Sequence, residues 1–213
     1  MGPENLKWSK GISNEIRRIF QGIGDIQVTN NLFFVHSHEV PQDSKVTYFR
    51  IACDIRTQKK DTHIVRLTVG GDRLTLEVPV STPTSDLITS KLHWNSVILT
   101  PGSRYLVVDV NNFYLNNIMS NHEYYNIAIS LIPQEVIDEY NLVEKQINGF
   151  LYVRVEKVMY GLVHTGIIAH TALKEHLRPF IYEPTPITPG LCRHNNNLIA
   201  FTLVVNNFGI KYK

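Results

Sequence analysis

Leu198-Ile199-Ala200-Phe201-Thr202-Leu203-Val204-Val205-Asn206-Asn207-Phe208-Gly209-Ile210-Lys211-Tyr212-Lys213 is the stretch whose reading decides the fold. An apolar, β-branched and aromatic run from Leu198 to Val205 meets Asn206-Asn207, and a second run carrying Phe208, Ile210 and Tyr212 leads away. Strand formers on either side of two Asn residues spell a β-hairpin, because the short Asn amide tolerates the positive φ that two-residue loops demand. One reading of the pair is a plain structural turn, and the rest of the chain decides whether it is more. The strand pattern runs up to Lys213 without a closing element, as expected of a fold cut short.

Outward from the hairpin, Pro179, Pro184, Pro186 and Pro189 with Gly190 read as a loop. Thr165 to Leu177 reads as a helix with Ile168, Ala172 and Leu173 on its buried face. Gly149 to Val155 alternates like a strand, and residues 133–142 read as a short helix opened by Pro133. Tyr105 to Val110 is a continuous apolar run, the pattern of a strand buried on both faces, with one carboxylate in it, Asp109. An ion buried without a partner costs several kcal/mol, so Asp109 is expected at a strand end, facing a cleft, a cation or a turn amide.

Thr82-Pro83-Thr84-Ser85-Asp86 is a helix start, with Thr82 as the N-cap, and the helix is expected to run to about Ile98. From Val46, Phe49, Ile51, Cys53 and Ile55 alternate with polar residues, and Ile64 to Val69 returns after a polar turn, so residues 46–69 predict a long hairpin. Its tip and one face collect Arg50, Arg56, Lys59, Lys60 and Arg66. Residues 12–23 carry Ile12, Ile16, Ile19, Phe20 and Ile23 at helical spacing, with Glu15, Arg17 and Arg18 on the wet side and Gly22 and Gly24 as terminators.

A chain of 213 residues, 43% hydrophobic, can bury a sizeable core in one domain or in two lobes. A net charge of +2 announces no global nucleic-acid field, so any such partner must be bound by local clusters. Cys53 and Cys192 lack metal-type spacing, His36-Ser37-His38-Glu39 lacks distant partners of matching type, and no Gly-x-Ser-x-Gly turn or Walker-type loop occurs. Without a secretory segment or a bilayer-length apolar run, the expectation is an intracellular protein, in cytoplasm or nucleus, with reduced thiols and no membrane partner.

Four stretches share one order with a known family. Arg66-Leu67-Thr68-Val69-Gly70-Gly71 resembles the fingers strand of long-terminal-repeat retrotransposon reverse transcriptases, in the Ty1/copia manner. Val107-Val108-Asp109-Val110-Asn111-Asn112-Phe113-Tyr114-Leu115-Asn116 resembles their first catalytic motif, and Met159-Tyr160-Gly161-Leu162-Val163-His164-Thr165-Gly166 the block that supports template and incoming nucleotide. Leu203-Val204-Val205-Asn206-Asn207-Phe208 resembles their paired-aspartate hairpin. The resemblance covers the chain from about Trp8 onward. It implies an α+β fold: a polymerase-like right-hand fragment with fingers over approximately residues 1–100 and a partial palm over 101–213, its antiparallel sheet packed on helices. Thumb and RNase H would be absent.

The parent activity implied is template-directed DNA synthesis by two-metal phosphoryl transfer, with Mg²⁺ as cofactor and template-primer RNA or DNA and a deoxynucleoside triphosphate as partners. By resemblance Asp109 is a metal ligand, Asn206 and Asn207 occupy the other two ligand positions, and Tyr114 is the gate against a ribose 2′ hydroxyl. Arg56, Lys59 and Arg66 would bind the triphosphate, and Gly161 and His164 would line the nucleotide pocket. The chain departs from the family where it matters most: both hairpin aspartates are Asn, His164 replaces the usual Gln, and Val163 a frequent Pro. Loss of one preorganised electrostatic group costs about 10²–10³ in rate, and two charges are missing here. The sequence therefore predicts a degenerate, inactive reverse transcriptase-like domain. A nucleic-acid-binding module without catalysis and a structural or interaction fragment are the alternatives.

Overall fold

Alternating and helical periodicities in this sequence resolve into an α+β architecture with two mostly antiparallel five-stranded sheets. The computed structural model describes residues 3–22, 28–58, 62–71, 81–188 and 190–213. Lys59 and Lys60 of the basic tip, and Ile23 and Gly24, lie outside the described residues. The chain divides into two compact units, Met1–Glu77 with Tyr114–Thr165, and Val78–Phe113 with Gly166–Lys213. Where the sequence reading drew one boundary near residue 100, the chain enters each unit twice. Among the described residues no helix is long and apolar enough to cross a membrane.

In the first unit, β2 (Val46–Ile55) and β3 (His63–Val69) form the expected hairpin, with Phe49 opposite Val69 and Ile51 opposite Leu67. Burial stops at Ile51. Cys53 and Ile55, expected inward by their spacing, are exposed because the ladder continues past the core that covers its base. The sheet is completed by β1 (Leu32–Val35), β5 (Ile118–Ala128) and β6 (Phe150–Lys157), in the order β1-β6-β5-β2-β3, with β2 and β5 parallel. Tyr125, Leu151, Val153 and Val155 are fully buried at its centre.

Helix α1 (Pro3–Ile19) begins well before the predicted residue 12 and stops at Ile19. It buries Ile16, Ile19 and also Glu15, which the sequence reading placed in water. Glu15 is tolerated there because its carboxylate accepts from the Arg18 guanidinium at 2.9–3.0 Å and from the Leu67 backbone N–H at 3.4 Å. The helix predicted over 133–142 is two short ones, α3 (Gln134–Glu139) and α4 (Leu142–Lys145), broken where Asn141 takes a left-handed φ of 51°.

The second unit holds an antiparallel sheet in the order β4-β10-β9-β8-β7, from β4 (Arg104–Asp109), β7 (Tyr182–Pro184), β8 (Leu191–His194), β9 (Ala200–Val204) and β10 (Asn207–Tyr212). β4, read as buried on both faces, is an edge strand: Leu106, Val107 and Val108 are 48%, 64% and 36% exposed. An apolar run fits an exposed edge as readily as a buried centre, and the pattern alone does not distinguish them. Part of the proline-rich loop is strand β7, whose outermost place in the sheet suits a proline that donates no ladder bond.

Helix α5 (Thr165–Leu177) has the predicted bounds, but Ala169 is buried and Ala172 exposed. Its Leu173 and Leu177 pack on Phe201, Leu203 and Phe208. Helix α2 (Leu87–Ile98) ends where expected but is capped by Asp86, which accepts from the Thr89 N–H at 2.6 Å. Thr82 is not its cap, since the helix begins only at Leu87 and Ser85 donates its backbone N–H to the Leu203 carbonyl.

Candidate functional site

The closing hairpin forms as read, with its turn displaced by one residue. Val204 pairs with Asn207, so the two loop residues are Val205 and Asn206, not Asn206 and Asn207. Val205 has φ 60° while Asn206 does not have a positive φ, the pattern of a type II′ turn. The β-branched residue therefore takes the strained position that the sequence reading gave to Asn.

β10 pairs with β4 on its other side, and this register sets Asn207 opposite Asp109 at the ladder's end. The Val110 N–H donates to the Asn206 carbonyl at 3.0 Å and ties the strand's exit to the turn. Asn206 Nδ2 donates to Asp109 Oδ1, and Asn207 Nδ2 donates to Asn206 Oδ1 at 3.2 Å. Of the three settings anticipated for Asp109, the turn amide is the one it has. The amide orientation follows from charge: turned over, Asn206 would set its oxygen against a carboxylate.

The donor set of this tip decides whether it could hold two divalent ions. One carboxylate remains, one of its oxygens already accepts an amide hydrogen, and the other two positions are neutral. Hard cations held a few Å apart demand anionic oxygens, so these residues do not fit a two-metal centre. Among the described residues no group of three or more His, Cys, Asp or Glu gathers where it could hold a metal ion.

Arg56, Arg66, Tyr114, Gly161 and His164 all belong to the first unit. Val69 donates its N–H to the Tyr160 carbonyl at 2.8 Å, joining the Arg66–Gly71 and Met159–Gly166 stretches. Gly161 is required there for a backbone reason: its φ is 97°, and a Cβ would fall 2.3 Å from the Val69 oxygen. The Arg66 guanidinium lies 5.3 Å from the centre of the Tyr160 ring, and Tyr114 meets the same ring edge-on at 6.5 Å. Burial pushes the Tyr114 hydroxyl above its ordinary pKa. Arg56 stands apart from this group at the hairpin's far end, where it pairs with Asp54 at 2.8 Å. Asp54 is held below the usual carboxylate range by that guanidinium.

His164 has a partner, Glu123, that sequence reasoning missed. Its Nε2 lies 3.7 Å from Glu123 Oε1, and the other oxygen of Glu123 accepts from the Tyr125 hydroxyl. Tyr125 is pushed far above its ordinary pKa, first by burial and then by this carboxylate. His164 Nδ1 is buried without a hydrogen-bond partner among the described residues. The available signal was Glu123 beside two tyrosines, but the polar run Ser120-Asn121-His122-Glu123 hid the strand that carries it.

No family model matches this chain, and no curated protein matches its sequence.

Proposed function

We propose that this chain is a retrotransposon-type reverse transcriptase-like domain, of fingers and partial palm, whose metal-dependent chemistry has been lost. The observation that carries the reading is the convergence of Asp109, Asn206 and Asn207 on one hairpin tip. Three carboxylates would be needed there for two-metal phosphoryl transfer, and two are amides of nearly the same shape. The joined Arg66–Gly71 and Met159–Gly166 stretches support it, with Arg66 and Tyr114 both set against the Tyr160 ring. The parent partners on this reading are template-primer RNA or DNA and a deoxynucleoside triphosphate.

The purified chain is expected to show no primer extension with Mg²⁺ or Mn²⁺. Asn206→Asp combined with Asn207→Asp restores the charge without changing the hairpin, and is expected to tighten Mn²⁺ binding by about tenfold or more, read by the paramagnetic signal of free Mn²⁺. A double variant that binds Mn²⁺ no better than the unaltered chain overturns the reading. So does nucleotide incorporation by the unaltered chain that Asp109→Ala abolishes.

A nucleic-acid-binding role without catalysis is the second reading, favoured by the ladder register of β2 and β3. Arg50 opposite Thr68 and Arg66 opposite Ala52 share one face, and Arg56 continues it. Backbone phosphates need only cations, so affinity for single-stranded RNA should fall steeply with salt. Arg66→Ala should weaken binding severalfold and reduce the salt slope by about one. Binding that ignores salt would remove this reading.

A further inference from the structure

The ladder registers of the second sheet set Tyr105, Lys211, Ala200, Arg193 and Glu183 in one row, one from each strand and all on the same face. Lys211 and Arg193 flank Ala200, about 10 Å apart along the row by strand spacing. The small Ala200 side chain leaves space between them, and a cavity of about 570 Å³ opens there. One wall is α2 and the segment after it, with Ser96, Thr100 and Ser103, and the other is the β8–β9 connection, Asn195 to Ile199. A volume of this size suits a small molecule.

Its charge is one-sided. Among the described residues no Asp or Glu lines the cavity. Lys211 Nζ donates to the Ser96 carbonyl at 3.0 Å, Ser96 Oγ at 3.1 Å and Thr100 Oγ1 at 2.9 Å, all neutral acceptors, so the half-buried ammonium is held in place without being neutralised. Neither Lys211 nor Arg193 forms an ion pair among the described residues, and Glu183, across the ladder from Arg193, does not reach it. Ser103 Oγ is buried and has no hydrogen-bond partner among the described residues, although a hydroxyl so placed ordinarily finds one. Two cations without anions and an orphan hydroxyl in one acid-free cavity call for an anionic oxygen-rich group. Arg favours phosphate, whose oxygens its planar fork can bridge.

The geometry points to a binding site for a small phosphomonoester of nucleotide size, its dianionic head bonded by the Arg193 guanidinium over Ala200 and attracted by the charge of the Lys211 ammonium, whose three hydrogens stay on Ser96 and Thr100, and its body against Leu191, Leu198 and Ile199. Asp109, Asn206 and Asn207 do not line this cavity, so the site stands independently of the hairpin reading.

The test is amide chemical-shift titration of the whole chain with AMP at constant ionic strength, with adenosine and inorganic phosphate as separate probes. Saturable shifts are expected at Ser96, Ser103, Arg193 and Lys211 in the millimolar range or below, with phosphate shifting the same amides more weakly and adenosine leaving them unmoved. Arg193→Ala, an exposed change that removes no side-chain hydrogen bond or ion pair among the described residues, and Lys211→Met, which removes a charge, should each weaken AMP by about tenfold. If Lys211→Met unfolds, the Arg193→Ala comparison stands alone. Absence of saturation, adenosine binding as well as AMP, or unchanged affinity in Arg193→Ala would overturn the site.

Discussion

His93 is buried on α2, with its Nε2 3.1 Å from the Gly209 carbonyl, and burial holds its pKa below the ordinary histidine value, Lys211 adding to the depression. The folded chain therefore binds this proton less readily than the unfolded chain does. Stability from neutral His93 is complete above the unfolded value, near pH 6.5, and is lost as pH falls below it. The urea midpoint should fall between about pH 7.5 and 5.5, and His93→Gln, which keeps an N–H donor for Gly209, should flatten part of that slope. The residue left is His170, also depressed by burial. A wild-type midpoint that rises on acidification would sink this account. Such side chains were the least legible part of the sequence. Asp109 could be flagged as needing a partner, but that the partner would be the Asn206 amide depended on a ladder joining residues nearly a hundred positions apart. Glu15 was misplaced for the same reason, since the Leu67 N–H that helps hold it comes from another element.

At the scale of elements, the closing hairpin stores strain in a nameable place. A left-handed backbone costs an L-residue about 1–2 kcal/mol, and Val205 holds φ 60° with a β-branched side chain. Val205→Gly removes that cost and returns part of it as chain entropy, so a net gain of about 1 kcal/mol is expected, read as a higher denaturant midpoint. A loss of stability would mean that Val205 packing outweighs its backbone. Elements with clean periodicity between turn residues were legible: β2, β3, β6, α5 and the hairpin itself. β5 was not, because Ser120 to Glu123 breaks any alternation and Tyr125 and Ile127 are too few to restore it. β4 was legible as a strand but not as an edge, because its neighbours are decided by topology.

For the whole molecule, the two units are built from interleaved segments, which makes a prediction about truncation. In the first unit β6 and β5 lie between β1 and β2, yet both follow Phe113 in sequence. A chain ending at Phe113 keeps β1, β2 and β3 but loses every strand that joins the first to the second. It is expected to show no dispersed amide spectrum and no cooperative melt, because β1 without β6 has no ladder partner. A cooperative transition in that fragment would show residues 1–77 to be self-sufficient. The individual strands and helices were legible from periodicity and the α+β class came with the resemblance, while the double entry into each unit was not legible, since nothing local records a return of the chain.

The pairing of Leu32 with Val155 also sets a clock. A ribosome adding about 5–20 residues per second needs about 6–25 s to pass from one to the other. Throughout that interval the apolar strand β1 is made but has no mate, so its solubility in a nascent chain depends on what else shields it.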